Sequence, residues 1–468
     1  METRKLKIRL STYDITAACI TLAYITLLVK LSFEKFSGFR YSSLDLGIFT
    51  QSMSGFLHGR PLFNTVEWQF HGAPNHFGVH FQPIMFLLVP MFYLFPSPKT
   101  LLAVQSLALG ASVFLAYHLA RKLTDEKTAI VLTVLYALNS SLIGINLFEF
   151  HPVALAVPLF ILATIFLVED RKGAFALTAI FILSAKEDAF IGVASLSLWW
   201  AFREGLSLKN ARRNRSLLVM AAVSVLYGLI VIFFVIPHFG NDYLYGGLYS
   251  HPSIGSRKIL YFLLFNLTFG LLPLLLPRNA LLLTLPWLES LLASRPSQTA
   301  FGFHYPYMLV PLSFTAAVSA LRELELRRIL SVLVVVGLMA SMATMPVAEK
   351  PPRTQNPLIH YSVLEPIPGA EPARPVIQML MGSNLSVYTQ PNFYPALALK
   401  ENVYVYPNGI RPDAVLVDVR TYQGRLYLGR VMRTVREKYR LVYSREGVRL
   451  YVREGLNVSV SGRVPPEP

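Results

Sequence analysis

Arg40, Tyr41, Ser42, Ser43, Leu44, Asp45, Leu46, Gly47, Ile48, Phe49 follow the first apolar run, and a polar, aromatic segment continues from them to His71, His76 and His80. An acid, several histidines and a short amphipathic pattern lie here between apolar runs. A mere connector needs none of them, so this stretch is the first candidate for chemistry. Asp45 precedes Ile48, Phe49, Met53, Phe56 and Leu57, a spacing that predicts an amphipathic helix lying in the membrane interface. An aspartate just ahead of a helix also suits an N-cap, where it accepts backbone N–H bonds at the positive end of the dipole. The two readings are compatible, since a carboxylate fixed at a helix start is well oriented to take a proton from a hydroxyl.

The surrounding composition sets the class. Of 468 residues, 53% are hydrophobic and 15% charged, and the mean hydropathy is +0.46. That is more apolar surface than one soluble core hides, so the chain reads as a polytopic α-helical membrane protein. The net charge of +16 falls mostly in short clusters between apolar runs, where it sets membrane orientation and does not point to nucleic acid. Cys19, the single cysteine, has no intrachain partner. Met1–Arg9 is short and basic, and the run from Tyr13 to Leu31 after it has no small-residue cleavage site, which predicts a retained anchor with Asp14 at its edge.

Further apolar segments run from Thr100 to Ala120, Ala129 to Leu147, Val153 to Val168, Ala174 to Ala185, Phe190 to Phe202, Leu217 to Ile236, Ile259 to Leu276, Leu281 to Leu292, Pro306 to Leu321 and Ile329 to Met345. About eleven transmembrane helices are expected, several of them short. Phe81–Phe95 carries Pro83 and Pro90 and is followed by Pro96; it suits a re-entrant or juxtamembrane element. If it does not cross, Arg121, Lys122, Lys127, Arg171, Lys172, Arg203, Lys209, Arg212, Arg213, Arg215, Arg278, Arg322, Arg327 and Arg328 all share the side of the N-terminus, which the positive-inside rule makes cytoplasmic. The acids and histidines then gather on the external face. Of ten histidines only His118 falls at the cytoplasmic end.

The expected organisation is a membrane domain over 1–346 with a first external loop at 32–99, a proline-rich linker over 347–372, and a small external α/β domain over 373–468. In that domain Leu385–Tyr388, Val403–Tyr406, Ala414–Val419, Leu441–Ser444 and Val448–Val452 read as strands, and Leu426–Lys438 as an amphipathic helix. Asn457, Val458, Ser459 forms a glycosylation sequon.

Four more constellations stand out. Glu149 and His151 occupy a short loop closed by Pro152, which opens the next helix. Lys186, Glu187, Asp188 interrupts an apolar sequence; Lys186 either pairs with a neighbouring acid or meets a phosphate, while Glu187 or Asp188 holds a metal or a sugar hydroxyl. His76 and His80 are four apart and form a candidate metal pair, with a divalent ion as the candidate cofactor. His304 and Tyr305, ahead of Pro306, suit an anionic phosphate, with Arg295, Arg257 and Lys258 as further external cations. There is no Walker A loop, Rossmann fingerprint, nucleophile elbow, Cys-x-x-Cys or His-Glu-x-x-His, so ATP-driven work is not expected.

Leu44 to Gln51, His80 to Pro83, Phe150 to Pro152, Lys186 to Asp188 and Phe303 to Tyr305 ahead of Pro311 together resemble the membrane-protein family called domain of unknown function 2079 (DUF2079). That family is similar to the GT-C superfamily of integral-membrane glycosyltransferases, which place an acid in the first external loop and use polyprenyl-phosphate or dolichyl-phosphate sugars as donors. The resemblance implies Asp45 as catalytic base and Glu149 as a second acid. It implies a lipid-phosphate donor and a glycan, lipid or protein as acceptor; the residues read above as suited to phosphate, Lys186, His304, Tyr305 and Arg295, are then expected to hold the donor, with His80, His151, Glu187 and Asp188 as further substrate or metal candidates. No Asp-x-Asp or Asp-Glu pair is present, which leaves metal dependence open. Transfer with inversion at the outer face is the expected activity. The alternatives are a transporter or flippase of lipid-linked sugars, and a noncatalytic sensor whose outer domain binds a partner.

Overall fold

A computed structural model describes residues 11–240, 242–406, 410–434 and 438–456. The basic Met1–Arg9 segment and the sequon at Asn457 lie outside the described residues. The first helix, Thr12–Ser37, starts in a capping box: the Ser11 hydroxyl accepts from Asp14 N at 3.2 Å, and Asp14 Oδ2 accepts from Ser11 N at 2.9 Å. It packs on the long helix Pro98–Leu123.

Among the described residues four helices are long and apolar enough to cross a membrane: Thr12–Ser37, Pro98–Leu123, Arg215–Phe239 and Leu326–Ala343. Two bent pairs, Thr65–Gly78 with Pro83–Leu94 and Glu126–Ala137 with Ser140–Phe148, bring the number to as many as six. The other segments expected to cross form helices of 12 to 15 residues, such as Ala156–Val168, Phe190–Ala201, Ala280–Leu292 and Leu309–Glu323, shorter than the roughly 20 residues a span needs. The apolar pattern locates these helices well. It does not fix which of them traverse. The Phe81–Phe95 segment folds as two short helical pieces set at 80° to the helix before it, and it exposes Leu87, Tyr93, Leu94 and Phe95, as an element lying along lipid does.

One end of the bundle is a belt of ion pairs. Arg121 pairs with Asp14, Lys122 with Glu169 at 2.7 Å and Arg327 with Asp125 at 3.2 Å. Lys35, near the other end of the 26-residue first helix, lies about 30 Å away by the helical rise. There its ammonium donates to Leu147 O at 2.5 Å and Phe148 O at 2.8 Å. The basic clusters and the Asp45 stretch therefore occupy opposite ends of the bundle.

The C-terminal region is a five-stranded sheet in the spatial order Val403–Tyr404, Val387–Thr389, Ala414–Asp418, Val448–Arg453, Tyr439–Arg445. The first three strands are parallel and the last two add antiparallel. Helices Ala370–Met381 and Tyr422–Thr434 accompany it. Its core continues into the first loop, where Phe39, Ile48 and Val66 are buried among the sheet residues.

Two expectations change here. Ile48–Ser54 is a helix, but every residue in it is buried; it is no interfacial helix, because its polar side chains meet protein carbonyls where an interfacial helix meets water. Gln51 Nε2 donates to Lys400 O at 2.9 Å and Glu401 O at 3.2 Å, and Ser54 Oγ donates to Leu399 O at 2.9 Å. The proline-rich 347–372 stretch is no loose tether either. Val347–Ala348 pairs in parallel with Ser362–Val363, and the helix Ala370–Met381 begins inside it.

Candidate active site

The Asp45 turn is held from behind. Ser43–Gly47 forms a single π-helical turn, a local widening often found at functional positions. Ser42, not Asp45, is its cap, the hydroxyl accepting from Leu44 N at 3.3 Å. Glu149 spans the turn: Oε1 accepts from Ser42 N at 3.0 Å and Oε2 from Leu46 N at 2.8 Å. Gly47 completes the fit, because a Cβ there would stand 2.6 Å from the Tyr394 ring.

The second loop follows the helix Ser140–Phe148, whose terminal carbonyls are capped by Lys35. Gln105 locks the loop, donating to Asn146 O and Glu149 O at 2.9 Å each and accepting from His151 N at 2.8 Å. His151 is thereby brought to Asp45, with Nε2 3.0 Å from Oδ1. The Asp45 side chain keeps 26% of its surface open, against 7% for His151. Burial, with the Asp45 carboxylate as neighbour, pushes the Glu149 carboxyl upward, against the pull of Leu46 N–H, Lys35 and Ser42 N–H.

His304 stacks on His151 with ring centroids 3.5 Å apart and planes 18° apart. Burial first, then the nearby His151, Lys186, His80 and Arg295, hold His304 well below the ordinary imidazole range. His304 Nδ1 is buried and makes no protein hydrogen bond. Tyr305 OH accepts from Arg295 Nη1 at 3.3 Å, and the Arg295 guanidinium sits 5.3 Å from the centre of the Tyr245 ring.

His80 stacks on the same ring at 4.6 Å and 11°. His80 Nδ1 meets Glu187 Oε1 at 2.7 Å, and Glu187 Oε2 accepts from Phe81 N at 3.2 Å. Burial by itself would raise Glu187, but the His80 imidazole, followed by Lys186, holds its carboxyl down at about 2. Lys186 is ion-paired with Asp188, whose other oxygen accepts from Tyr307 OH at 2.5 Å.

These groups surround one cavity of about 1070 Å³. Asp45, His80, His151, Lys186, Asp188, Arg295, His304 and Tyr305 line it; Glu149 and Glu187 do not. Phe190, Ile191, Val225, Phe233, Leu285 and Leu288 form an apolar wall of it. Four expectations are corrected by this geometry. Glu149 does not face the cavity, because both of its oxygens are taken by backbone N–H groups. Glu187 likewise turns away from the cavity, toward His80. His76 is engaged at both ring nitrogens, Nδ1 with Glu67 Oε1 at 2.9 Å and Nε2 with Gln82 Oε1 at 2.8 Å, so it has no lone pair for a metal shared with His80. Among the described residues no three His, Cys, Asp or Glu side chains converge as a metal site. Arg257 and Lys258 are saturated by carbonyls, Arg257 by Thr299 O and Pro296 O and Lys258 by Leu291 O and Ala293 O.

Sequence reasoning missed Tyr245, Gln105, Lys35 and Glu289, the last of which lines the cavity. An acid inside an apolar helix is a signal in itself, and Glu289 in Ala280–Leu292 carries it. Tyr245 had none beyond membership of an aromatic loop.

Comparison with known proteins bears on the fold. The profile of the DUF2079 family, described as a predicted membrane protein, matches residues 36–448. No curated protein matches the chain. Among solved structures, the crystal structure of ArnT from Cupriavidus metallidurans in the apo state superposes with a TM-score of 0.55 at 14% identity, covering 93% of this chain and 98% of that one. ArnT is a GT-C glycosyltransferase.

Proposed function

The chain belongs to the DUF2079 family of predicted membrane proteins, and from that premise and its ArnT-like fold we propose that it is a membrane glycosyltransferase drawing on a polyprenyl-phosphate sugar at the external face. The observation that carries the reading is Asp45: a partly open carboxylate, fixed by a turn and by His151, at a cavity lined both by cations and by an apolar wall. The apolar wall takes the prenyl chain. The cations meet the phosphate.

In the proposed reaction the acceptor hydroxyl gives its proton to Asp45 as its oxygen attacks the anomeric carbon. The bond from that carbon to the phosphate oxygen breaks, and the phosphate leaves with the electron pair on the opposite face, inverting the centre. Arg295 and His80, both packed against Tyr245, stabilise the charge that grows on the phosphate. Lys186 contributes as part of its pair with Asp188, and His304, kept neutral, packs against His151 without repelling it. Glu149 acts through the Asp45 turn as a positioning residue. Among the described residues no donor set for a metal is assembled, and the proposed steps use the chain's own side chains. Mass spectrometry of lipid copurifying with the protein tests the donor class: a prenyl phosphate is expected, and phospholipid alone, together with no sugar release from any polyprenyl-phosphate donor, would contradict the proposal.

A further inference from the structure

The wall that carries Arg295, His304 and Tyr305 has a second side. Phe303, next to His304, faces a separate groove of about 660 Å³, lined also by Pro352, Gln355, Asn356 and Tyr361, and Arg295 lines both the groove and the cavity. The two spaces therefore meet at Arg295. The groove is built and not incidental. Phe301 N donates to Leu358 O and His360 N to Phe301 O, each at 2.8 Å. Gly302 has φ +90°, and a Cβ there would fall 2.0 Å from His360 O, so only glycine allows this approach. Arg257 ties the two segments together, donating to Thr299 O at 3.0 Å and Pro357 O at 3.3 Å. The Phe303 ring is backed by His360 at 4.5 Å and 30°.

The lining decides the occupant. It offers the rings of Phe303, Tyr361 and His360, two primary amides and one guanidinium, with no carboxylate, beside proline and aliphatic side chains. Sugar rings present C–H faces to aromatic rings and hydroxyls to amides and guanidinium. Residues 351–357, which carry both amides, are exposed, so a ligand lying there keeps contact with water, as a glycan chain does and a lipid chain does not. We infer that this groove binds a glycan chain as the acceptor, its end reaching past Arg295 toward Asp45. The inference rests on the reading of the Asp45 cavity as a transferase site.

The test uses the full-length protein in detergent on a glycan microarray, without donor, in wild-type, Gln355→Trp, Tyr361→Ala and Asp45→Asn forms, each checked for an unchanged melting curve. Expected is retention of a subset of glycans by the wild type and by Asp45→Asn, weakened about tenfold or more by Gln355→Trp, which fills the groove, and by Tyr361→Ala, which removes a ring. With donor present, the groove variants keep releasing sugar to water while transfer to the retained glycan falls. Bound glycans with no donor consumption by any form would remove the transferase reading and leave the groove assignment standing. No glycan retained by the wild type, equal retention by both groove variants, or retention of an immobilised peptide library in place of glycans would overturn the inference.

Discussion

Replacing Glu149 probes how the site is held without touching the cavity. Its two oxygens accept from Ser42 N and Leu46 N on either side of Asp45, in a buried setting where water does not substitute. In Glu149→Gln one oxygen becomes an amide N–H₂ group facing a backbone N–H, so one buried donor loses its partner, at a cost of about 1–3 kcal/mol. In Glu149→Ala both donors are left, a cost of about 2–6 kcal/mol on the same scale. The turn responds by shifting, and a displacement of the reacting carboxylate by about 1 Å lowers turnover on the order of 10²-fold. Thermal melting together with kcat and donor KM is the assay. Expected is a lower melting temperature, graded from Gln to Ala, with kcat falling and donor KM nearly constant. The pH–rate profile of Glu149→Gln keeps its shape at a lower plateau, since Glu149 transfers no proton. A wild-type kcat and melting curve in Glu149→Ala, or the loss of one limb of the profile in Glu149→Gln, would refute the reasoning.

Three further outcomes are expected. Gly47→Ala drives a Cβ into the Tyr394 ring, which is pinned by its hydroxyl to Gln51 at 2.5 Å and Thr65 at 2.9 Å; a destabilisation of about 1–3 kcal/mol and faster proteolysis of the sheet domain are the readouts, and an unchanged melting curve counts against that docking. Glu187 is fully buried with its carboxyl held at about 2 by His80 and Lys186, so the unfolded chain binds the proton first as pH falls. Its stabilisation, on the order of 3 kcal/mol, is complete above the unfolded value of 4.5 and is lost toward pH 2; Glu187→Gln flattens melting temperature against pH in that window, and an unaltered slope would reject the pairing. Arg295→Ala removes a guanidinium seated against Tyr245 and Tyr305; donor affinity falls about tenfold or more, measured by lipid-phosphate titration, and unchanged affinity would place the phosphate elsewhere.

How much of this was legible in the sequence depends on what each side chain faces. Ionisable residues at the ends of apolar runs are costly, which is why Asp45, His151, Lys186 and His304 could be picked out separately and why they line one cavity. Their partners were not legible. Glu149 and His151 are two residues apart in the same loop, yet one grips the backbone N–H groups of the Asp45 turn and the other reaches the Asp45 side chain, partners more than a hundred residues away that only the fold supplies. Ile48–Ser54 has the periodicity of an interfacial helix, but a pattern of polar residues cannot distinguish water from the carbonyls of Leu399 and Lys400, which lie more than three hundred residues along the chain. Pro372 and Pro375 hid the helix Ala370–Met381. Arg257 and Lys258 read as free cations because the carbonyls that saturate them belong to loops closed only by the fold.

The central claim is that Asp45 takes the acceptor's proton. Asp45→Asn keeps an Oδ1 acceptor for His151 and removes only the base, so the measurement is single-turnover sugar transfer from a polyprenyl-phosphate donor by reconstituted wild-type and Asp45→Asn protein, with donor binding and melting determined on the same samples. The account predicts a loss of about 10²- to 10⁴-fold in the transfer rate with both controls unchanged. Transfer at the wild-type rate by Asp45→Asn would contradict it.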